Sequence, residues 1–150
     1  MIATSVAYDL VFVVHLMAAV GTIIVFIAMR VAALGVVQGA DAHTQALRFP
    51  QRPNWAARLI HLLPVTGFIM TSSGGRSVSI SHPWVIVGLI CYLAAAGHLE
   101  ARTLPEERHV ATTISREGVA TKVEGRQLLR SIDILLAIMG VALITMLVQY

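Results

Sequence analysis

The sequence predicts an all-α protein, a four-helix transmembrane bundle in up-down order. Three observations carry that expectation: four apolar runs of spanning length, short polar connections between them, and little charge anywhere. Of 150 residues, 57% are hydrophobic and 13% charged, and the mean hydropathy is +0.77; a soluble domain carries roughly 25% charge. A spanning helix needs about 20 mostly apolar residues, so the chain has room for four spans, one membrane domain and no separate soluble unit.

The first run covers 8–34, with His15 within it and Arg30 near its end. Its N-terminal flank lacks the positive charge of a signal peptide and the run is too long for an h-region, so it is expected to be retained. A connection over 38–54 follows, with turn formers Gly39, Pro50 and Pro53. The second run, 55–72, carries His61 and Pro64, and Ser72, Ser73, Gly74 and Gly75 close it. Pro64 has no N–H for the carbonyl of Ile60, which predicts a local kink.

Pro83 stands at a plausible first helical position for the third run, 84–102, which holds His98 and Glu100 at its far end. The fourth run, 127–149, has Arg130 and Asp133 near its start. Between them, 105–126 is the most hydrophilic stretch; Val110, Ile114 and Val119 are weakly helical in spacing, which leaves a short surface helix or a loop open.

Ten of the eleven basic residues flank the first and third connections; the second holds only Arg76. The positive-inside rule therefore puts the first and third connections in the cytoplasm and both termini outside. The same scatter argues against nucleic acid as a partner despite the net charge of +3. The single cysteine, Cys91, lies in an apolar run, so neither an intrachain disulfide nor a CxxC site is available. No GxSxG, GxxxxGK[ST], HExxH or GxGxxG pattern occurs, which leaves hydrolase, nucleotide and zinc-protease chemistry unsupported and enzymatic activity without a motif.

Ionisable groups inside a bilayer are costly and so draw functional interest. At ~1.5 Å rise per residue, His61, His98 and Asp133 all fall about 8–9 Å from the inner ends of their runs. Arg30, Arg58, Glu100 and Arg130 border this layer. Two imidazoles at matched depth on neighbouring helices suit axial ligation of a haem b iron, with Asp133, Arg130 and Arg58 as supporting partners. The same residues equally suit a hydrogen-bonded cluster whose long side chains snorkel to the interface. His15 stands apart, about 10 Å below the outer end of its run, at the depth of Met70, Thr71, Val87, Thr145 and Met146. Gly21, Gly88, Gly97 and Gly140, with Ala94, Ala95 and Ala96, form small-residue faces for close packing between helices or against a partner. That pattern keeps a second function open, a non-catalytic accessory or assembly subunit of a larger membrane complex, or a homo-oligomer. Arg130 and Asp133 share a helical face, which is expected to turn into the bundle.

His15, the LLPVTG stretch at 62–67 and the HPWVIVGLICYLAAAGH stretch at 82–98 give the chain a resemblance to small bacterial four-helix membrane proteins distantly similar to the CopD membrane domain. It also resembles the membrane-embedded, haem-associated type of protoporphyrinogen oxidase, whose first-helix histidine and inner arginine His15 and Arg30 match. Where that type has a lysine early in the third helix, this chain has Val85, Ile86, Val87 and Gly88. The resemblance implies a helical bundle of porphyrin size.

The orientation is checked by cysteine labelling of intact cells. Cysteines introduced between positions 41 and 51 are expected to stay unlabelled by an impermeant reagent, and one at Ser77 to be labelled; the reverse pattern refutes the orientation.

Overall fold

The computed structural model describes residues 2–72 and 81–148. Ser73, Gly74, Gly75, Arg76 and Ser77 of the second connection, and the expected end of the fourth run at Gln149, lie outside the described residues. All regular structure among the described residues is helical: α1 (Ile2–Gln38), α2 (Ala42–Arg48), α3 (Leu62–Ser72), α4 (Pro83–His98), α5 (Leu104–Glu117) and α6 (Lys122–Leu147), with a 3₁₀ segment over Ala56–His61 and a π turn over Leu99–Thr103.

Three of the helical stretches, Val6–Gln38, Pro83–Glu117 and Lys122–Leu147, are long and apolar enough to cross a membrane, and Ala56–Ser72 is a shorter apolar one. Large apolar side chains such as Leu10, Val13, Met17, Ile24, Leu93 and Ile144 are exposed. Apolar surface on that scale is incompatible with water and natural against lipid tails, which marks a membrane protein.

Each departure from the expected boundaries has a local cause. The first helix runs past 34 to Gln38 because a Schellman turn ends it: Gly39 has φ +79°, its N–H bonds the carbonyl of Val36, and that of Ala40 bonds the carbonyl of Gly35. The polar connection contains α2, opened by Asp41, whose carboxylate accepts from the backbone N–H of Thr44. That bond and the Thr44 hydroxyl hold the exposed Asp41 carboxyl below the usual carboxylate range. Gln45 then ties the connection down, donating to the Ala40 carbonyl and accepting from the N–H of Ala120.

Before Pro64 the chain winds as a 3₁₀ helix, and the Ile60 carbonyl that Pro64 cannot serve takes the N–H of Leu62 instead. The tighter winding also lengthens the element. Six 3₁₀ residues and eleven α residues reach about 28 Å, close to the ~30 Å of a hydrocarbon core.

The hydrophilic stretch is a helix continuous with the third run. Pro105 lacks an N–H and its ring would collide with the carbonyl four residues back; the π turn widens the spiral there, so that the N–H of Leu104 reaches the carbonyl of Leu99. α5 buries Leu104, Val110, Ala111 and Ile114 on one stripe and ends at Gly118, φ +86°. α6 starts at Lys122, earlier than 127, because Thr121 and Glu124 form a reciprocal capping box.

α6 packs between α1 and α4, and α3 with its 3₁₀ segment lies along another side of α1, meeting α4 only sparsely. The core gathers Phe26, Ala33, Val36, Ile60, Leu99, Val110, Leu128, Ile132 and Leu135, at the end of the molecule where the polar connections lie. The α1–α6 crossing is closest at Gly125, where an added Cβ would lie 2.9 Å from Val36 Cγ1. Gly97 and Gly140, by contrast, have nothing among the described residues within 4 Å of that position.

Gly125→Val is expected to lower stability in detergent by about 2 kcal/mol through overpacking, and Gly97→Ala to leave it unchanged or slightly raise it. Thermal unfolding followed by circular dichroism checks the pair; equal effects at both positions would contradict the crossing.

Candidate functional site

In the inner layer Asp133, His61 and His98 each take a partner set by where the residue falls around its helix. On α6 the buried stripe is Leu128, Ser131, Ile132, Leu135 and Met139. Asp133 and Arg130 lie off that stripe and both are exposed, so they do not turn into the interior as expected. Asp133 takes Arg30 of α1 instead, Nε to Oδ1 at 2.6 Å, rather than supporting a histidine.

Arg58 is held at the start of the second apolar element by a two-pronged bond to Glu100 of the π turn, Nε to Oε1 at 2.8 Å and Nη2 to Oε2 at 2.9 Å. Its guanidinium also lies 5.0 Å from the centre of the Trp55 ring. His61 joins this pair: Nε2 is 3.4 Å from Glu100 Oε1 and Nδ1 is 3.1 Å from the Tyr92 hydroxyl. An ionised carboxylate only accepts, so Nε2 carries the proton and Nδ1 of the neutral ring accepts from Tyr92. Both ring nitrogens of His61 are thereby occupied.

His98 turns to α6. Its Nε2 lies 3.1 Å from the Ser131 carbonyl and 3.0 Å from the Ser131 hydroxyl, which in turn bonds the buried hydroxyl of Thr103 at 2.8 Å. A carbonyl partner makes Nε2 the protonated nitrogen and leaves Nδ1, the one beside the backbone, unbonded. His61 and His98 share a depth and take partners in different directions.

His15, in the other half of α1, is arranged the opposite way round. Its Nδ1 lies 2.7 Å from Thr66 Oγ1 of α3, and the Thr66 hydroxyl donates to the Leu62 carbonyl at 2.7 Å. With the hydroxyl proton committed there, Nδ1–H of His15 is the donor and Nε2 holds an outward lone pair. The ring lies beside Gly67, whose Cβ position would be 3.7 Å from His15 Cε1. Of the three histidines, His15 alone keeps its distal nitrogen unbonded among the described residues.

Sequence reasoning missed Thr66, Tyr92, Thr103 and Ser131. The signal available was a hydroxyl inside or beside an apolar run, which lipid cannot satisfy and which therefore seeks a carbonyl or an imidazole. Depth placed Met70 and Thr71 level with His15, whereas the observed partner is one turn nearer the start of α3. His109, in the hydrophilic stretch, pairs with Glu124 at 3.1 Å. Among the described residues no three His, Cys, Asp or Glu side chains converge as a metal-ligand group. Comparison with protein-family models, with curated proteins and with solved structures found no match.

A double-mutant cycle on Arg30→Gln and Asp133→Asn is expected to show coupling of about 1 kcal/mol in unfolding free energy, the upper end for partly exposed pairs. Additive effects would mean that the ion pair does not join α1 to α6.

Proposed function

We propose that this protein is a four-helix, up-down bundle of the bacterial cytoplasmic membrane, both termini outside, that binds haem b or a related porphyrin through His15. The observation that carries the proposal is the geometry of that residue: Nδ1 lies 2.7 Å from a Thr66 hydroxyl that itself donates to the Leu62 carbonyl, and Nε2 has no bond among the described residues. An imidazole whose far nitrogen donates to an oriented oxygen is a more basic and better aimed iron ligand than a free one. Phe12 and Leu16, three residues before and one after His15 on α1, are exposed apolar side chains, which suit the faces of a macrocycle. Held there, haem would supply one-electron exchange within the membrane. Binding rather than catalysis is the reading, since His61, His98 and Asp133 are each held by a partner within the chain.

His61 takes second place as a ligand because both of its ring nitrogens are bonded, and His98 because its Nε2 is bonded and the nitrogen it keeps, Nδ1, is the one beside the backbone. In this reading their work is to hold the 3₁₀ segment to the π turn and α4 to α6. A second function, an accessory or assembly subunit of a larger membrane complex, rests on a separate observation. Gly97 and Gly140 offer open backbone on α4 and α6, with nothing among the described residues within 4 Å of either Cβ position.

One purification distinguishes the two. Protein extracted from its native membrane in mild detergent, with adequate haem supply, is expected to show a Soret band. That band should be lost in His15→Ala, weakened about tenfold in haem affinity in Thr66→Val, and kept in His61→Ala and His98→Ala. No band in the parent protein, together with a stoichiometric large partner on native mass analysis, replaces the haem proposal by the subunit one. A band that survives His15→Ala refutes the ligand assignment.

A further inference from the structure

Between α1 and the irregular strap over 49–56 runs a groove of about 720 Å³. One wall is the α1 surface from Val25 through Ala28 and Met29 to Ala32, about 10 Å of apolar helix. It is continuous with Ile24, Ile27 and Val31, which are exposed on the same helix. The opposite side is the strap, held to α5 by Gln51, which donates to the Ala111 carbonyl, and by Asn54, which donates to Glu107 at 2.9 Å. The groove is therefore propped open by specific bonds.

Its rim carries Arg48, Arg52 and Trp55. Among the described residues neither arginine has an acidic partner, whereas Arg30, Arg58 and Arg102 each have one. The one carboxylate in the lining, Glu107, is already bonded by Asn54. Arg48 lies flat on α1, with Nη1 3.5 Å from the Val31 carbonyl, and can do so because residue 35 is glycine: a Cβ there would collide with Nη1. Trp55 is 70% exposed, in the manner of aromatic rings that sit at headgroup level.

We propose that this groove binds one anionic phospholipid, its phosphate between Arg48 and Arg52 and the start of an acyl chain along the α1 wall. Charge complementarity selects the headgroup, since the two cations without an acidic partner outnumber the one carboxylate, which Asn54 holds on the strap side. The apolar wall selects a lipid over a soluble anion, because the cations stand at the end of a surface that only a hydrocarbon chain would cover.

The test is lipid titration of the purified full-length protein in neutral detergent, read by native mass spectrometry. Phosphatidylglycerol and phosphatidylcholine of identical chains are compared, each with and without inorganic phosphate. Each cation near a membrane surface is worth about fivefold in affinity for an anionic lipid, so the parent protein should prefer phosphatidylglycerol by about 30-fold. Arg48→Gln/Arg52→Gln should abolish that preference, and Arg116→Gln/Arg126→Gln, on exposed residues elsewhere, should leave it intact. Gly35→Ala displaces only the end of a flexible side chain and should reduce the preference severalfold while helicity by circular dichroism stays unchanged; it keeps the test valid if the double variant does not fold. Equal binding of the two lipids, equal losses in both double variants, displacement of the lipid by millimolar phosphate, or a second copy of the chain occupying the face without lipid would each overturn the proposal.

Discussion

Lipid offers no hydrogen bonds, and that constraint orders this molecule. Hydroxyls along the apolar helices turn back onto their own backbone: Thr22 onto Ala18, Ser72 onto Phe68, Thr145 onto Val141. Charged and imidazole groups, which the backbone cannot satisfy alone, reach across instead, and their pairings record which helices are neighbours. Arg30 with Asp133 joins α1 to α6; Arg58 and His61 with Glu100 and Tyr92 join the 3₁₀ segment to the third apolar element; His98 with Ser131 joins α4 to α6. Where apolar packing gives little orientation against a solvent as apolar as the side chains themselves, these bonds supply the direction.

The apolar runs were legible because hydropathy is a property of the whole run. The all-helical class and the approximate place of each spanning stretch followed from it. The boundaries depended on single residues read locally. The Thr121 and Glu124 spacing is a capping box visible in the sequence, and it moves the start of α6 well ahead of the apolar residues; hydropathy alone hid it. Pro64 and Pro105 were each visible as helix disruptors, but a missing N–H does not say how the backbone will accommodate it. Tighter winding before one and wider winding before the other were both available, and the packing around Ile60 and Leu99, each fully buried, goes with the one adopted.

The site was legible by depth and illegible by direction. Counting residues placed His61, His98 and Asp133 in one layer, which invites a shared ligand. Rotation of about 100° per residue decides which groups meet, and over a run apolar on all sides the sequence carries no amphipathic stripe from which that rotation can be read. Ser131 falls on the buried stripe of α6 and Asp133 does not, so His98 meets a hydroxyl and the carboxylate goes to Arg30. For His15 the partner, Thr66, lies one turn from the level of Met70 that a uniform rise gives, and the 3₁₀ segment ahead of it lengthens the path.

The π turn that accommodates Pro105 leaves Pro83–Glu117 as one uninterrupted helical stretch of 35 residues, roughly 52 Å long and well beyond the thickness of a bilayer core. Mechanically it is a single beam whose polar end, α5, projects as a lever arm. Its fulcrum is the buried cluster at Leu99 and Thr103, with Glu100 and its arginine beside it. A sideways load on α5 would therefore be transmitted as tilt of α4, displacing Tyr92 against His61 near the fulcrum and the Gly88 contact with Met146 at the far end. A hinge at Pro105 would have isolated the two halves; a widened turn couples them.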